Sequence, residues 1–214
     1  QIGGELVLAQ QAILAMAERK DWEMAWRLMG AFNAPTDAAP EQLATYVALQ
    51  TRVQAEWVII REPKPKADDP EVVKALRMLL IQRQGQPLSP VWSELEGRLR
   101  TMLGEHAAAF EAFSAAIAQT PSGPEYDLLA LSAVRAADAA GLVEKASQFV
   151  AALQPLAGDE AKAELASFKS KFDEAVAIKV PTPAVDGEPK ETPPANADAG
   201  ATEAGKGDGT DPKT

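Results

Sequence analysis

The sequence predicts an all-α chain built of paired helices, and three observations carry that reading. Apolar residues recur at helical spacing through residues 1–179, with no run of alternating β-branched residues and no Asn-Gly or Asp-Gly hairpin signal between apolar stretches. Alanine supplies 42 of the 214 residues; it is the best helix former and small enough to let helices approach closely. Pro40, Pro70, Pro90 and Pro124 each precede an apolar-periodic stretch, where a missing N–H costs nothing in a first helical turn.

Taken in order, the expected helices run over 5–19, 21–32, 41–60, 70–84, 90–103, 105–119, 124–140, 142–154 and 159–178. Asp69 and Ser89 stand where N-caps belong, ahead of Pro70 and Pro90. The longest β-like run, Trp57-Val58-Ile59-Ile60, ends a helical pattern instead of standing between turns. Most connections are very short, so successive helices are expected to be antiparallel neighbours. Asp159–Ile178 reads as a final helix with Leu165, Phe168, Phe172 and Val176 on its apolar stripe. From Pro181 to Thr214 there are six prolines, five glycines and no aromatic residue. Such a segment has nothing to bury against its ordering entropy, and residues 180–214 are expected to be a disordered acidic Pro/Ala/Gly-rich tail.

Composition removes several functional classes. The absence of cysteine excludes disulfide scaffolds, structural zinc ribbons, iron–sulfur clusters and thiol nucleophiles. A formal net charge of -10 would repel a nucleic-acid backbone over most of the surface. No stretch approaches the ~18 uninterrupted apolar residues of a membrane span, so no direct membrane insertion is expected of this segment. The first residue is Gln1 and the short run from Leu6 has no basic lead. The expectation is a processed chain or a piece of a longer one. Its compartment stays open, with an exported or membrane-tethered chain, as in a bacterial periplasm, preferred to a cytoplasmic one.

Pro90 and Pro124 lie 34 residues apart and Gly104 and Gly141 lie 37 apart, the period of a two-helix repeat. Within 104–121, Gly104 stands at the helix–helix turn, Ala109 and Ala116 are small, Phe113 is the aromatic between them and Pro121 closes the unit. This stretch resembles the second helix of a tetratricopeptide repeat, in which small residues permit close packing on the first helix and the aromatic fills the groove to the next repeat. In the preceding helix Gly97 falls where the family has a small residue. Glu96, by contrast, sits where the family has leucine, and Trp92 is one residue out of place.

Weaker copies occupy 12–35, with a turn at Lys20-Asp21 followed by Trp22, Ala25, Met29 and Pro35, and 124–155, with Ala146 as the small residue and Val150 in the place of Phe113. Residues 41–84 supply one more pair, although the loop Arg61–Asp69 is long for this family. The resemblance implies a right-handed α-solenoid of about four helix pairs plus a C-terminal capping helix, whose first helices line a groove for a protein or peptide partner.

On that architecture Arg98 and Arg135 fall at equivalent places on successive first helices, with Glu94, Thr101 and Asp138 near them. Together these five form the candidate partner-binding set, a short ladder facing a partner's carboxylates; the plainer reading is solvated charge on amphipathic helices. His106, the single histidine, occupies a packing slot and has no second histidine or cysteine to build a metal or catalytic pair with. Gly200–Gly207 nearly spells a phosphate-binding loop, but lacks the strand and helix that such a loop needs and carries glycine at the Ser/Thr position. Trp22 and Trp26 are one turn apart and are expected to share a packing face with Ala25 and Met29, the alternative being an exposed interface anchor.

No catalytic, cofactor-binding or metal-ligating residue stands out, and no cofactor is expected. The leading expectation is a non-enzymatic adaptor or scaffold. The alternative is an accessory helical region of a larger membrane-anchored or enzymatic assembly whose functional part lies upstream of Gln1. Homo-oligomerisation through an uncapped repeat end fits either.

Overall fold

The computed structural model describes residues 2–32, 38–84 and 89–179, and among these residues the chain is helical, with nine α-helices and no strand. They are α1 (Ile2–Glu18), α2 (Trp22–Ala31), α3 (Pro40–Ile60), α4 (Pro70–Arg83), α5 (Pro90–Met102), α6 (His106–Ile117), α7 (Pro124–Ala139), α8 (Val143–Leu153) and α9 (Asp159–Lys179). All four marking prolines sit at the first position of a helix. Asp69 caps α4 by accepting the Glu71 N–H at 2.9 Å. Ser89 does not cap α5 as expected: its backbone is extended at the cap position, but its side chain makes no capping hydrogen bond.

Three of the connections are the same turn. Lys20, Gly104 and Gly141 have φ of 58°, 75° and 68°. The N–H of the residue after each donates to a carbonyl five residues back: Asp21 to Met16 at 2.9 Å, Glu105 to Arg100 at 2.9 Å and Leu142 to Ala137 at 3.0 Å. This left-handed closure satisfies carbonyls that the end of a helix would leave unpaired. Glycine adopts it freely, whereas Lys20 does so against the side-chain clash of that region. Five residues beyond each turn stands an alanine, Ala25, Ala109 or Ala146, and all three are fully buried. One turn with one buried alanine thus recurs three times in the backbone.

Each helix packs on the next throughout, and α1 also packs on α3, α3 on α5 and α7 on α9. A stack of helix pairs follows, with its core in three parts. Leu6, Ile13, Trp22, Met29, Leu49 and Val53 join α1, α2 and α3 as far as Val53. Val58, Val72, Leu79, Leu95 and Leu99 join the second half of α3 to α4 and α5. Phe110, Phe113, Val134, Val150, Leu165 and Phe172 join α6 through α9. In this last part α9 covers the end of the stack, with Leu165 and Phe172 buried and Phe168 packed beside them.

The second and third parts meet where α5 touches α6. The Phe113 ring lies so close to Gly97 that a Cβ there would stand 2.7 Å from its Cε1. One residue before Gly97, Glu96 stands where the sequence resemblance leads one to expect leucine, and it is 6% exposed. Its charge is matched by Arg100 at 2.8 Å and by Arg83 reaching across from α4. A buried ion network therefore replaces apolar packing at this position, and it ties α4 to α5.

Trp22 and Trp26 part company. Trp22 is 7% exposed, in the core with Ala25 and Met29, with the Arg52 guanidinium over its ring. Trp26 is 37% exposed and stacks on Trp57 of α3, centroids 4.2 Å apart and planes within 5°. No helix among the described residues is long and apolar enough to cross a membrane. Contacts divide the chain into Gln1–Val180 and Pro181–Thr214; the expected disordered tail and the loop look-alike at 200–207 fall outside the described residues, as does Pro35.

Candidate functional site

The first helices touch in sequence at every step but one. Among the described residues, α5 and α7 form no substantial packing pair, and a cavity of about 540 Å³ lies between them. Each helix turns one stripe toward it. From α5 come Arg98, Thr101 and Met102, and from α7 come Ser132, Arg135, Ala136 and Ala139, the i, i+3, i+4, i+7 spacing of one helical face. Helix α6 adds His106 and Phe113, α3 adds Ile59 at its C-terminal end, and the long α3–α4 loop adds Lys64 and Pro65. Small side chains on α7 leave the space open, because alanine and serine cannot reach across it.

Three of the five predicted residues, Arg98, Thr101 and Arg135, line this one cavity. Glu94 is not among the lining residues; one turn before Arg98 on the same face of α5, it pairs with Arg98 at 3.6 Å. Asp138 departs from expectation: it faces α9, where both carboxylate oxygens accept from the Lys171 ammonium at 2.6 and 2.7 Å. Arg135 stands at the edge of the α7 stripe, and Asp138 lies one step further round the helix on the side that α9 covers, where Arg135 also meets Glu164; the repeat pattern does not specify that partner.

The wall carries the side chains of Arg98, Arg135, Lys64 and His106, and among the described residues no carboxylate is part of the lining. The balancing acids lie further out. Arg98 is shared between Glu56 at 3.5 Å and Glu94 at 3.6 Å, distances too long for close charge-assisted hydrogen bonds. Lys64 pairs with Glu62 at 3.2 Å and Arg135 with Glu164 at 2.7 Å. Burial pushes the Glu56 carboxyl above its ordinary value, Glu94 adds to the rise, and Arg98, Arg52 and Lys20 pull it down. Thr101 and Ser132 donate their hydroxyl protons to the carbonyls of Gly97 and Leu128, at 2.8 and 2.7 Å, so toward the cavity they offer only lone pairs.

His106 is half-buried, and its Nδ1 is buried without a hydrogen-bond partner. Packing in its expected slot leaves that polar atom unsatisfied, a cost of about 1–3 kcal/mol for a buried group. The sequence reading missed the contribution of Lys64, Pro65, Met102 and Ser132. A signal for Ser132 was present in its spacing from Arg135, Ala136 and Ala139, but nothing local places the 61–69 loop against α5 and α7. Among the described residues no group of three or more His, Asp or Glu stands together to hold a metal ion. Comparison with protein-family models, curated proteins and solved structures returns no match.

Proposed function

We propose that the chain is a non-enzymatic, tetratricopeptide-like helical scaffold whose groove receives an acidic segment of a protein partner. The observation that carries this reading is the α5–α7 cleft: among the described residues three cationic side chains and no carboxylate line it, in a chain whose net charge is -10. Each of these cations also pairs with a carboxylate outside the lining, so a guest carboxylate entering the cleft meets donors first. The recurrent left-handed turn with its buried alanine supports the repeat assignment. Stacked pairs give a rigid surface on which a partner segment lies at little cost in order.

The test uses the full chain as bait in source cells, wild type against an Arg98→Ala, Arg135→Ala double variant, followed by titration of the captured protein in purified form. The expected result is a partner whose affinity falls at least about tenfold in the variant, the scale of one or two lost charge-assisted hydrogen bonds. Partners that bind both forms equally overturn the groove assignment.

A second reading, a helical segment docked within a larger assembly or on a second copy, draws on α1, where Val7, Leu8 and Leu14 are exposed although the opposite face already packs on α2 and α3. A mass in sedimentation that stays monomeric at all concentrations would remove the second copy.

A further inference from the structure

The donors and acceptors of the α5–α7 cavity are unevenly divided. Arg98, Arg135 and Lys64 offer only N–H groups, and His106 adds a buried ring nitrogen with no partner. Among the described residues of the wall the side-chain acceptors are the hydroxyls of Thr101 and Ser132 and, in the neutral imidazole, one of the two ring nitrogens of His106. Between the polar groups the surface is apolar: Ile59, Pro65, Met102, Phe113, Ala136 and Ala139. A peptide backbone threaded into this space would bring N–H groups that find almost no acceptor, and buried unpaired donors are costly. A partner's acidic side chains meet the rim, where Arg135 is exposed. The interior has the chemistry for something smaller.

We propose that this cavity binds a free amphipathic carboxylate, a small organic acid with an apolar body and one anionic head. A carboxylate brings acceptors alone and so matches a wall of donors. Arg98 is placed to take it, since its two present partners stand 3.5 and 3.6 Å away and a ligand oxygen can approach more closely. The apolar body lies against Phe113, Met102 and Ile59. The volume of about 540 Å³ falls within the range of small-molecule sites, and the Lys64–Pro65 stretch of the α3–α4 loop forms one wall. This site goes beyond the scaffold reading and needs no protein partner.

The protein's single histidine makes the test direct, because the ring protons of His106 give the only imidazole signals in its NMR spectrum. Octanoate is titrated into the full chain at pH 7, beside acetate, which has the head without the body, and octan-1-ol, which has the body without the head. The expected result is a saturable shift of the His106 signals with octanoate, at least about tenfold tighter than with either control. In the Arg98→Ala, Arg135→Ala variant the octanoate affinity falls at least about tenfold. Ala139→Phe, at an exposed position on the wall, fills the cavity and abolishes the shift while far-UV circular dichroism stays unchanged.

Octanol binding as tightly as octanoate, shifts that persist in both variants, or no saturable shift at all would each overturn the proposal. None of these outcomes bears on capture of a partner by the groove, and loss of the partner result leaves the octanoate titration standing.

Discussion

Replacing Gly97 with alanine sets two effects of known size against each other. In a helix interior alanine is better than glycine by about 1 kcal/mol, so a variant with free space around it would be stabilised. At Gly97 the new Cβ stands 2.7 Å from Cε1 and 2.8 Å from both Cδ1 and Cζ of Phe113. Carbon atoms prefer about 3.5–4.0 Å, so the overlap approaches an ångström and involves three ring atoms at once. Phe113 is 3% exposed and packed in the α6–α9 core, so the ring can give way only toward the α5–α7 cavity that it lines. Either its torsion leaves the rotamer well or α6 shifts from α5, and overpacking of this kind costs about 1–3 kcal/mol.

The expected net effect is destabilisation of up to about 2 kcal/mol. Urea unfolding followed by circular dichroism measures it, as a lower midpoint at unchanged slope. The cause is isolated by a cycle with Phe113→Leu, in which a smaller side chain relieves the clash; the coupling between the two substitutions is expected at about 1–2 kcal/mol. A Gly97→Ala variant stabilised by the full propensity gain, or one whose effect is additive with Phe113→Leu, would refute the close approach of α5 and α6.

Lys20→Gly acts in the opposite direction: relieving a non-glycine residue of its left-handed conformation is expected to stabilise by about 1 kcal/mol, and an unchanged urea midpoint would contradict it. Glu56→Gln tests the buried carboxyl behind Arg98. Because desolvation raises the folded-state value above 4.5, the folded chain binds more protons than the unfolded one in the window above 4.5, and stability from this group rises as pH falls through it. The variant is therefore expected to be more stable than wild type near neutrality, with the difference shrinking as pH falls toward 4.5; a variant less stable at pH 7 would show that the ion pair with Arg98 outweighs desolvation.

The local features of this protein were legible in its sequence because each has a short-range cause. Prolines at first helical positions, Gly104 and Gly141 at left-handed turns, and alanines five residues beyond are set by sterics within one or two turns of chain. The same holds for the stripe of α9 and for the expectation that Arg98 and Arg135 occupy equivalent places on successive first helices. What the side chains meet across helices was settled only in three dimensions. Glu96 looked like a defect in a leucine slot until Arg83, thirteen residues earlier, reached it from α4. Trp22 and Trp26 share a helical spacing, yet one is buried and the other stacks on Trp57, 31 residues further along the chain.

The site divides in the same way. Periodicity placed Arg98, Thr101 and Arg135 on helix faces, but it could not tell that α5 and α7 stand apart with Ile59, Lys64 and Pro65 against the gap. Nor could it show that Asp138 turns to Lys171. Helix, turn and register follow from interactions a few residues apart, whereas a cavity exists only where several helices fail to meet. Its lining is decided by packing between segments far apart in the chain.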